Sequence, residues 1–269
     1  MTMMVVWYRE KFRQVWCAAD TRLSGANGIA TDHGPKIFPV PVACHVHQGN
    51  GKQWRAVRRY SLGFAFCGNN LSATTTHAMA SACTQSLASK NKRDHPASIA
   101  AIAELYRNVA EHQIRDIAGR AVKHPEVYFF TGVIFGYCLV QKRFMGFELT
   151  PELFANGFNV SIREMRLLPH HFYPYGSGTQ EFLRLHDELR HQPDHSVITT
   201  LSRMVERGIH QEVGGHVQIG VSATSGFHLP QVLHLAGPLD RHVTFLGWDV
   251  NQAPELDGYR IGFNAVGLD

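Results

Sequence analysis

The chain has 269 residues, 44% of them hydrophobic, and its 26 Lys and Arg against 22 Asp and Glu give a formal net charge of +4. This length is enough for one large domain or two small ones with an ordinary hydrophobic core. The positive charge is spread along the sequence in short clusters, near residues 55–59 and 90–93, which favours a solvated surface and argues against a nucleic-acid partner.

The N-terminal sequence has no long apolar core followed by a small-residue cleavage site. We therefore expect neither a secretory signal nor a membrane-spanning helix, and a mature protein that begins at or next to residue 1. The cysteines are odd in number and include no C-x-x-C pair, which is typical of buried free thiols in a cytoplasmic protein. They are Cys17, Cys44, Cys67, Cys83 and Cys138.

The first third of the chain is dominated by predicted strands. Apolar residues on both sides of a polar centre predict a hairpin over residues 4–19, followed by a polar loop at residues 20–25. Residues 36–42 and 60–66 are further predicted strands. The polar, glycine-containing stretch between them, residues 45–59, predicts a protruding hairpin or loop.

Two helices are predicted next. Residues 71–89 lack Pro and Gly and are rich in Ala, which predicts a helix. Its expected buried face carries Leu71, Ala78, Ala82, Cys83 and Leu87. The second helix runs from a start signal at residues 94–96 to the neighbourhood of Gly119. Its apolar side chains recur at helical spacing: Ile99, Ile102, Tyr106, Val109, Ile114 and Ile117.

The pattern of strands followed by two helices is then repeated. Strands are predicted at residues 127–140, at 144–149 and in short segments up to Tyr175, helices at 179–191 and 196–207, and a strand at 216–223. This block order favours an α+β fold, with two sheets between helical layers, over a doubly wound fold in which strand and helix alternate singly. We expect one domain over residues 1–226 and, over 227–269, a C-terminal extension of one or two hairpins packed on it.

The second residue offers a nucleophile. Thr2 has a small side chain, which permits removal of Met1 and would expose an amino-terminal threonine. A threonine hydroxyl is a poor nucleophile until a base takes its proton, and its own α-amine, with an ordinary pKa of about 8, can do so at neutral pH. The alternative is that Thr2 is simply the first residue of an edge strand.

Asp20 and Lys36 are the predicted charged pair. A lysine beside the hydroxyl and the amine would lower the pKa of both and stabilise developing negative charge, and Asp20 would hold that lysine charged and oriented. Each residue alone is more often structural, as a loop cap or a surface cation. The pair, sixteen residues apart, favours a functional role.

Gly68 and Ser177 lie at predicted strand-to-helix turns. The N–H of Gly68 would point outward near a helix N-terminus, which suits an oxyanion hole. Gly68 could instead be a turn glycine that needs positive φ, and the pattern leaves open whether Cys67 or Gly68 supplies the N–H. Ser177, between two glycines, could equally be the N-cap of the following helix.

Taken in order, these residues resemble the proteasome β subunit and the peptidase rings of bacterial ATP-dependent proteases, over roughly residues 2–224. The matching set is Thr2, Asp20 in CAADTR, Lys36 in GPKIF, Gly68 in FCGNNL, Ser177 in YGSGT, and Gly214-Gly215. The resemblance implies a four-layer αββα sandwich of mainly antiparallel sheets, the N-terminal nucleophile (Ntn) hydrolase fold. In that family the matching serine contacts the terminal amine.

The resemblance also implies an activity and partners. A threonine-type hydrolase would cleave peptide or amide bonds through an acyl-enzyme, without a cofactor. We expect a homo-oligomer such as a self-compartmentalising ring, with room for an ATPase partner. Two other functions stay open: a catalytically silent scaffold or binding subunit that retains Met1, as proteasome α-type subunits do, or an Ntn amidase that acts on a small molecule.

The sequence departs from the family in two places. The Thr2-to-Asp20 separation is two residues longer, which a longer turn at residues 9–14 would absorb. An Asp and a Ser that precede the two glycines in the proteasome branch are replaced by His210 and Val213. Part of the amine-positioning network is therefore altered, and His210 could substitute as a hydrogen-bond partner.

Histidine pairs at residues 45/47 and 170/171 lack the spacing of a zinc site, so we expect no bound metal. The glycine pairs are not followed by the Lys-Ser/Thr of a phosphate loop, so that motif is not expected either.

Overall fold

The computed structural model describes residues 3–25, 28–48, 53–90, 94–235, 241–262 and 264–268. The strands are β1 (Met3–Arg9), β2 (Gln14–Asp20), β3 (Leu23–Gly25), β4 (Gly28–Thr31), β5 (Ile37–Gln48), β6 (Gln53–Gly68), β7 (Leu87–Ala88), β8 (Phe130–Cys138), β9 (Arg143–Phe154), β10 (Gly157–Glu164), β11 (Phe172–Gly176), β12 (Val217–Ala223), β13 (Gly226–His228), β14 (Gln231–Leu235), β15 (Arg241–Phe245), β16 (Trp248–Asp249) and β17 (Ala265–Leu268). The α-helices are α1 (Asn70–Thr84), α2 (Ile99–Ala121), α3 (Thr179–Leu189) and α4 (Val197–Glu206). Short 3-10 turns cover Glu10–Phe12, Pro125–Tyr128 and Val250–Gln252.

Two large sheets form the centre of the molecule. One has the order β11-β1-β2-β12-β13 and is antiparallel throughout, and the other has the order β10-β9-β8-β6-β5-β7, with a single parallel pair, β5 with β7. Successive side chains of a β-strand point to opposite faces of the sheet. In β1, Met4 and Val6 accordingly pack between the two sheets, whereas Met3 and Val5 pack outward against helices.

Three hydrophobic cores define four layers. Residues of α1 and α2 pack on the β5–β6–β8–β9 face, and residues of α3 and α4 pack on the outer face of β1, β2 and β12. The third core fills the space between the sheets and contains Cys17, Ala65 and Phe135. The molecule is therefore an αββα sandwich.

The C-terminal residues form a separate small sheet of order β16-β15-β14-β17, in which β14 and β17 are parallel. Its residues Val232 and Leu268 are buried together with Leu201 of α4 and Val217 of β12. This C-terminal sheet therefore closes one side of the α4 layer, and it contains hairpins and a returning strand.

The structure corrects the predicted face of α1. Leu71 is 52% exposed and Cys83 is also exposed, so Cys83 is not a buried thiol, and Leu87 belongs to β7. The buried positions are Ser72, Ala73, Thr76, Ala80 and Thr84. Small side chains on this face let the helix lie close to the sheet, so helical position, rather than side-chain hydrophobicity, determines which face is buried.

Two element boundaries also differ from the prediction. The expected polar loop at residues 20–25 contains a strand, β3, which pairs with β4. The strand expected from residue 127 begins at Phe130, because Pro125 starts a 3-10 turn instead. Across the described ranges, no helix has the length and hydrophobicity that crossing a membrane requires.

Candidate active site

Asp20 and Lys36 form a fully buried ion pair between the two sheets. Asp20 is the last residue of β2, Lys36 immediately precedes β5, and Lys36 Nζ lies 2.8 Å from Asp20 Oδ1. Both side chains have no exposed surface. Burial lowers the pKa of Lys36, and the neighbouring carboxylate of Asp20 opposes that shift. A buried pair of this kind is stable only when the remaining lone pairs and protons have partners.

The carboxylate of Asp20 has those partners. Oδ1 accepts a second hydrogen bond from the backbone N–H of Met3, at 2.9 Å. Oδ2 accepts from the backbone N–H groups of Arg22, at 3.2 Å, and Gly214, at 3.1 Å. The carboxylate thus accepts from three backbone N–H groups and one ammonium group, and Oδ1 alone connects Met3 to Lys36.

Gln218 is a second buried polar residue at this site, and the sequence did not predict it. Its Oε1 accepts from the backbone N–H groups of Lys36, at 3.0 Å, and Ile37, at 3.2 Å. Its Nε2 donates to the carbonyl oxygens of Asp20, at 3.0 Å, and Gly34, at 3.4 Å. Gln218 thus fixes the segments that carry the two charges relative to each other, and all its polar groups are used.

The Gly214-Gly215 turn closes over Asp20 because neither position has room for a side chain. A Cβ on Gly214 would lie 2.4 Å from Cζ of Arg22, and one on Gly215, where φ is +74°, would lie 2.5 Å from the carbonyl oxygen of Asp32. The Arg22 guanidinium is bound by both carboxylate oxygens of Asp32, at 2.6 and 3.2 Å, and donates to the Gln211 carbonyl oxygen at 3.0 Å.

A cleft of about 270 Å³ lies beside the ion pair. Cys67, Gly68 and Ser177 are among its lining residues, together with Phe129 and Phe130. Gly68 has φ of +108°, and a Cβ there would lie 2.8 Å from the Phe129 carbonyl oxygen, so the position requires glycine. This backbone geometry is that of the turn glycine considered for Gly68, and the function as oxyanion donor stays a prediction.

Cys67 connects the cleft to the ion pair but is not itself an activated nucleophile. Its thiol interacts electrostatically with the Lys36 ammonium, which lowers the thiol pKa, but complete burial outweighs this and raises the pKa to about 12. The sulfur is therefore protonated at neutral pH, and a thiol is much less reactive than a thiolate.

The side chain of Ser177 does not cap helix α3. The N-cap residue is Gly178, and the buried Ser177 hydroxyl oxygen has no hydrogen-bond partner among the described residues. The capping alternative is therefore wrong, and Ser177 is a lining residue of the cleft whose buried hydroxyl is unpaired among the described residues. His210, in contrast, is occupied in its own loop, where its Nδ1 accepts from the Glu212 N–H at 3.2 Å.

The structure thus brings Asp20 and Lys36 into contact and places Gly68 and Ser177 on one adjacent cleft. Thr2 lies outside the described residues. Within the described ranges, no group of three or more His, Cys, Asp or Glu side chains is arranged to hold a metal ion.

Comparison with solved structures gives 117 similar chains. An Anbu (Gly-1) mutant from Hyphomicrobium sp. strain MC1 superposes with a TM-score of 0.51 at 14% identity, covering 85% of this chain and 84% of that one. The chain has a proteasome-like Ntn-hydrolase fold. At this identity the likeness concerns the fold alone.

Another similar chain is Thiobacillus denitrificans BPH in complex with epoxomicin, which is 16% identical in sequence. The superposition covers 83% of this chain and 100% of that one, and its TM-score is only 0.43. No protein-family model and no curated protein sequence matches the chain.

Proposed function

We propose that this Ntn-fold protein hydrolyses peptide or amide bonds, with Thr2 as the nucleophile once Met1 has been removed. The observation that carries the proposal is the shared oxygen of Asp20. Oδ1 accepts from both the Lys36 ammonium, at 2.8 Å, and the N–H of Met3, at 2.9 Å. Met3 is bonded directly to Thr2, so the charged pair is connected to the residue that would react.

In the proposed reaction, the Thr2 hydroxyl oxygen attacks the substrate carbonyl carbon while its proton passes to the Thr2 α-amine. The tetrahedral intermediate collapses with loss of the substrate amine, which takes that proton, and leaves an ester between the acyl group and Thr2. Water then attacks the ester, with the same α-amine as base, and regenerates the hydroxyl. No cofactor is needed for these steps.

The role of Lys36 follows from its charge and burial. An ammonium group in a water-excluded site interacts more strongly with developing negative charge than one in solvent, and its orientation is already fixed. Its positive charge also lowers the pKa of a neighbouring amine and so favours the neutral, basic form. The Asp20 carboxylate holds Lys36 charged for both purposes.

The cleft supports a substrate position beside this pair. Gly68, at the end of β6, is the proposed oxyanion donor, and the unpartnered Ser177 hydroxyl is the proposed partner of the terminal amine. Phe129, Phe130 and Pro151 line the same cleft, which favours an uncharged substrate group there. Assembly into a homo-oligomer and association with an ATPase stay predictions from the resemblance.

Kinetics of Thr2 variants test the proposal. With a mixed library of peptide aminocoumarin amides, Thr2→Ala should lower turnover by a factor of at least about 10³, whereas Thr2→Ser should retain part of it because hydroxyl and amine both remain. Intact mass should show that Met1 is absent from the active protein. Equal turnover by Thr2→Ala and the wild type would contradict the proposal.

A further inference from the structure

A second cluster of titratable side chains lies where the C-terminal sheet meets the loops beside Asp20. We call it the histidine cluster, and its members are His33, His216, His234 and His242. The His216 ring centroid is 5.4 Å from that of His33, 5.8 Å from that of His234 and 5.9 Å from that of His242, and the last two are 5.9 Å apart. His33 lies between β4 and β5, three residues before Lys36, and His216 follows the Gly214-Gly215 turn, whereas His234 and His242 belong to β14 and β15.

The cluster has too few counter-charges to be stable when fully protonated. Three carboxylates face it: Asp32, Asp249 and, from α4, Glu206. Asp32 is already paired with Arg22, and the Glu206 side chain also accepts from Ser202. Asp249 Oδ2 lies 3.9 Å from His242 Nδ1. Four imidazolium groups would therefore repel one another at short range.

The two most enclosed rings favour the neutral state. Burial and the neighbouring His33 and His242 lower the pKa of His216. Burial lowers the pKa of His234 to about 4, with a further contribution from His216 and His242. The His33 and His216 rings are stacked, with 26° between ring planes.

Hydrogen bonds connect the histidine cluster to the Asp20 region. The His216 backbone N–H donates to Thr21 Oγ1 at 2.7 Å, and that hydroxyl donates to the Asp32 carbonyl oxygen. His33 Nδ1 donates to the carbonyl oxygen of Gly247, between β15 and β16, at 2.8 Å. The histidine cluster thus contributes polar contacts between the C-terminal sheet and the loops beside Asp20, in addition to the apolar contacts of Val232 and Leu268.

We propose that the histidine cluster is a proton-sensitive latch: with neutral rings it holds the C-terminal sheet against the loops beside Asp20, and proton uptake releases the sheet. The latch does not rest on the proposed hydrolase activity. A released histidine regains its ordinary pKa of about 6.5, so the released state binds more protons than the latched one. The latched state is therefore fully favoured above about pH 6.5. As the pH falls towards 4, the equilibrium constant for latching decreases by up to tenfold per pH unit for each such histidine.

Hydrogen exchange of the whole chain at pH 7.5 and pH 5.0, corrected for intrinsic exchange rates and read by mass spectrometry, tests the latch. At pH 5.0 the amide protons of β14, β15 and residues 28–34 of the wild type should all lose protection at least tenfold, while those of α2 are unchanged. In the double variant His216→Gln/His234→Gln, protection of the same segments should decrease less than threefold between pH 7.5 and pH 5.0. The control His112→Gln, at an exposed position of α2, should behave as the wild type does.

Unchanged protection of the wild type between the two pH values would overturn the latch, as would an equal loss in the double variant. If circular dichroism shows that the double variant is unfolded, His234→Gln replaces it. This variant removes the ring whose pKa burial lowers to about 4, so the loss of protection at pH 5.0 should be at least threefold smaller than in the wild type. A loss as large as that of the wild type would again overturn the proposal.

Discussion

The Asp20–Lys36 pair and the histidine cluster are both connected to Thr21, which follows Asp20 in sequence and accepts a hydrogen bond from the His216 N–H. They differ in how they accommodate ionisable side chains. The pair is fully buried, and four donors satisfy the carboxylate of Asp20. The histidine cluster is partly exposed, and its enclosed members His216 and His234 keep low pKa values. A buried charge thus needs complete hydrogen bonding, whereas a cluster of weak bases stays intact only while it is neutral.

We therefore expect the ion pair and the histidine cluster to respond differently to substitution and to pH. The ion pair should be vulnerable to the removal of either partner and insensitive to mild acid. The histidine cluster should tolerate neutral polar substitutions and respond to mild acid.

Removal of Lys36 should have the largest effect. Lys36→Met leaves the Asp20 carboxylate buried without its cation, so we expect a loss of about 3–5 kcal/mol in the free energy of unfolding and no measurable hydrolysis. The double variant Asp20→Asn/Lys36→Met has no unpaired charge, so it should be more stable than Lys36→Met and equally inactive. Urea unfolding and peptide hydrolysis measure the two effects.

The exposed Lys123→Met provides the control for that experiment, and its unfolding free energy should lie within about 0.5 kcal/mol of the wild-type value. A double variant no more stable than Lys36→Met would mean that the unpaired charge of Asp20 is not the cause of the loss.

Removal of the Gln218 amide should have the next largest effect. Gln218→Met keeps the length of the side chain but leaves two N–H groups and two carbonyl oxygens with one partner fewer. A buried polar group that loses its only partner costs about 1–3 kcal/mol. We therefore expect the free energy of unfolding, measured with urea, to fall by at least about 2 kcal/mol. Gln180→Met, at an exposed position of α3, should change little, and equal losses in the two variants would contradict this role for Gln218.

The smallest effect concerns His77, a single partly buried histidine that serves as a comparison for the cluster. Its ring stacks on Phe38, with centroids 4.7 Å apart, and its Nδ1 is bonded to the Tyr106 hydroxyl at 3.0 Å. Burial lowers its pKa to about 4. The folded state therefore resists protonation, and the stability that His77 contributes above about pH 6.5 is lost as the pH falls towards 4.

His77→Gln should accordingly be less stable than the wild type at pH 7.5, because the stacking is lost. The difference should shrink by about 2 kcal/mol at pH 5.0, since only the wild type carries this proton penalty. Urea unfolding at both pH values checks this, and a difference that does not depend on pH would show that His77 is not responsible.

Much of the fold was predictable because it depends on local patterns. The first hairpin, the apolar spacing of α2 and the limits of α3 and α4 all follow from periodicity and capping signals. The buried face of α1 was not predictable in this way. Its apolar Leu71 is exposed and its Thr76 is buried, since the approach of the helix to the sheet is decided by the whole layer.

The candidate site shows the same limit. The family resemblance picked out Asp20 and Lys36, which lie in contact. Gln218 carried no signal because its hydrogen-bond partners are 182 and 198 residues away in sequence, at Lys36 and Asp20. A buried amide that joins two distant strands becomes visible only when the strands are assembled.

The most direct test of the central claim is covalent labelling with a peptide β-lactone, followed by mass-spectrometric mapping of the modified residue. We expect one adduct, on Thr2, in protein that has lost Met1, and no adduct in a chain with extra residues joined before Met1. Labelling of the extended chain at the same rate, or an adduct on Ser177 in place of Thr2, would contradict the N-terminal mechanism.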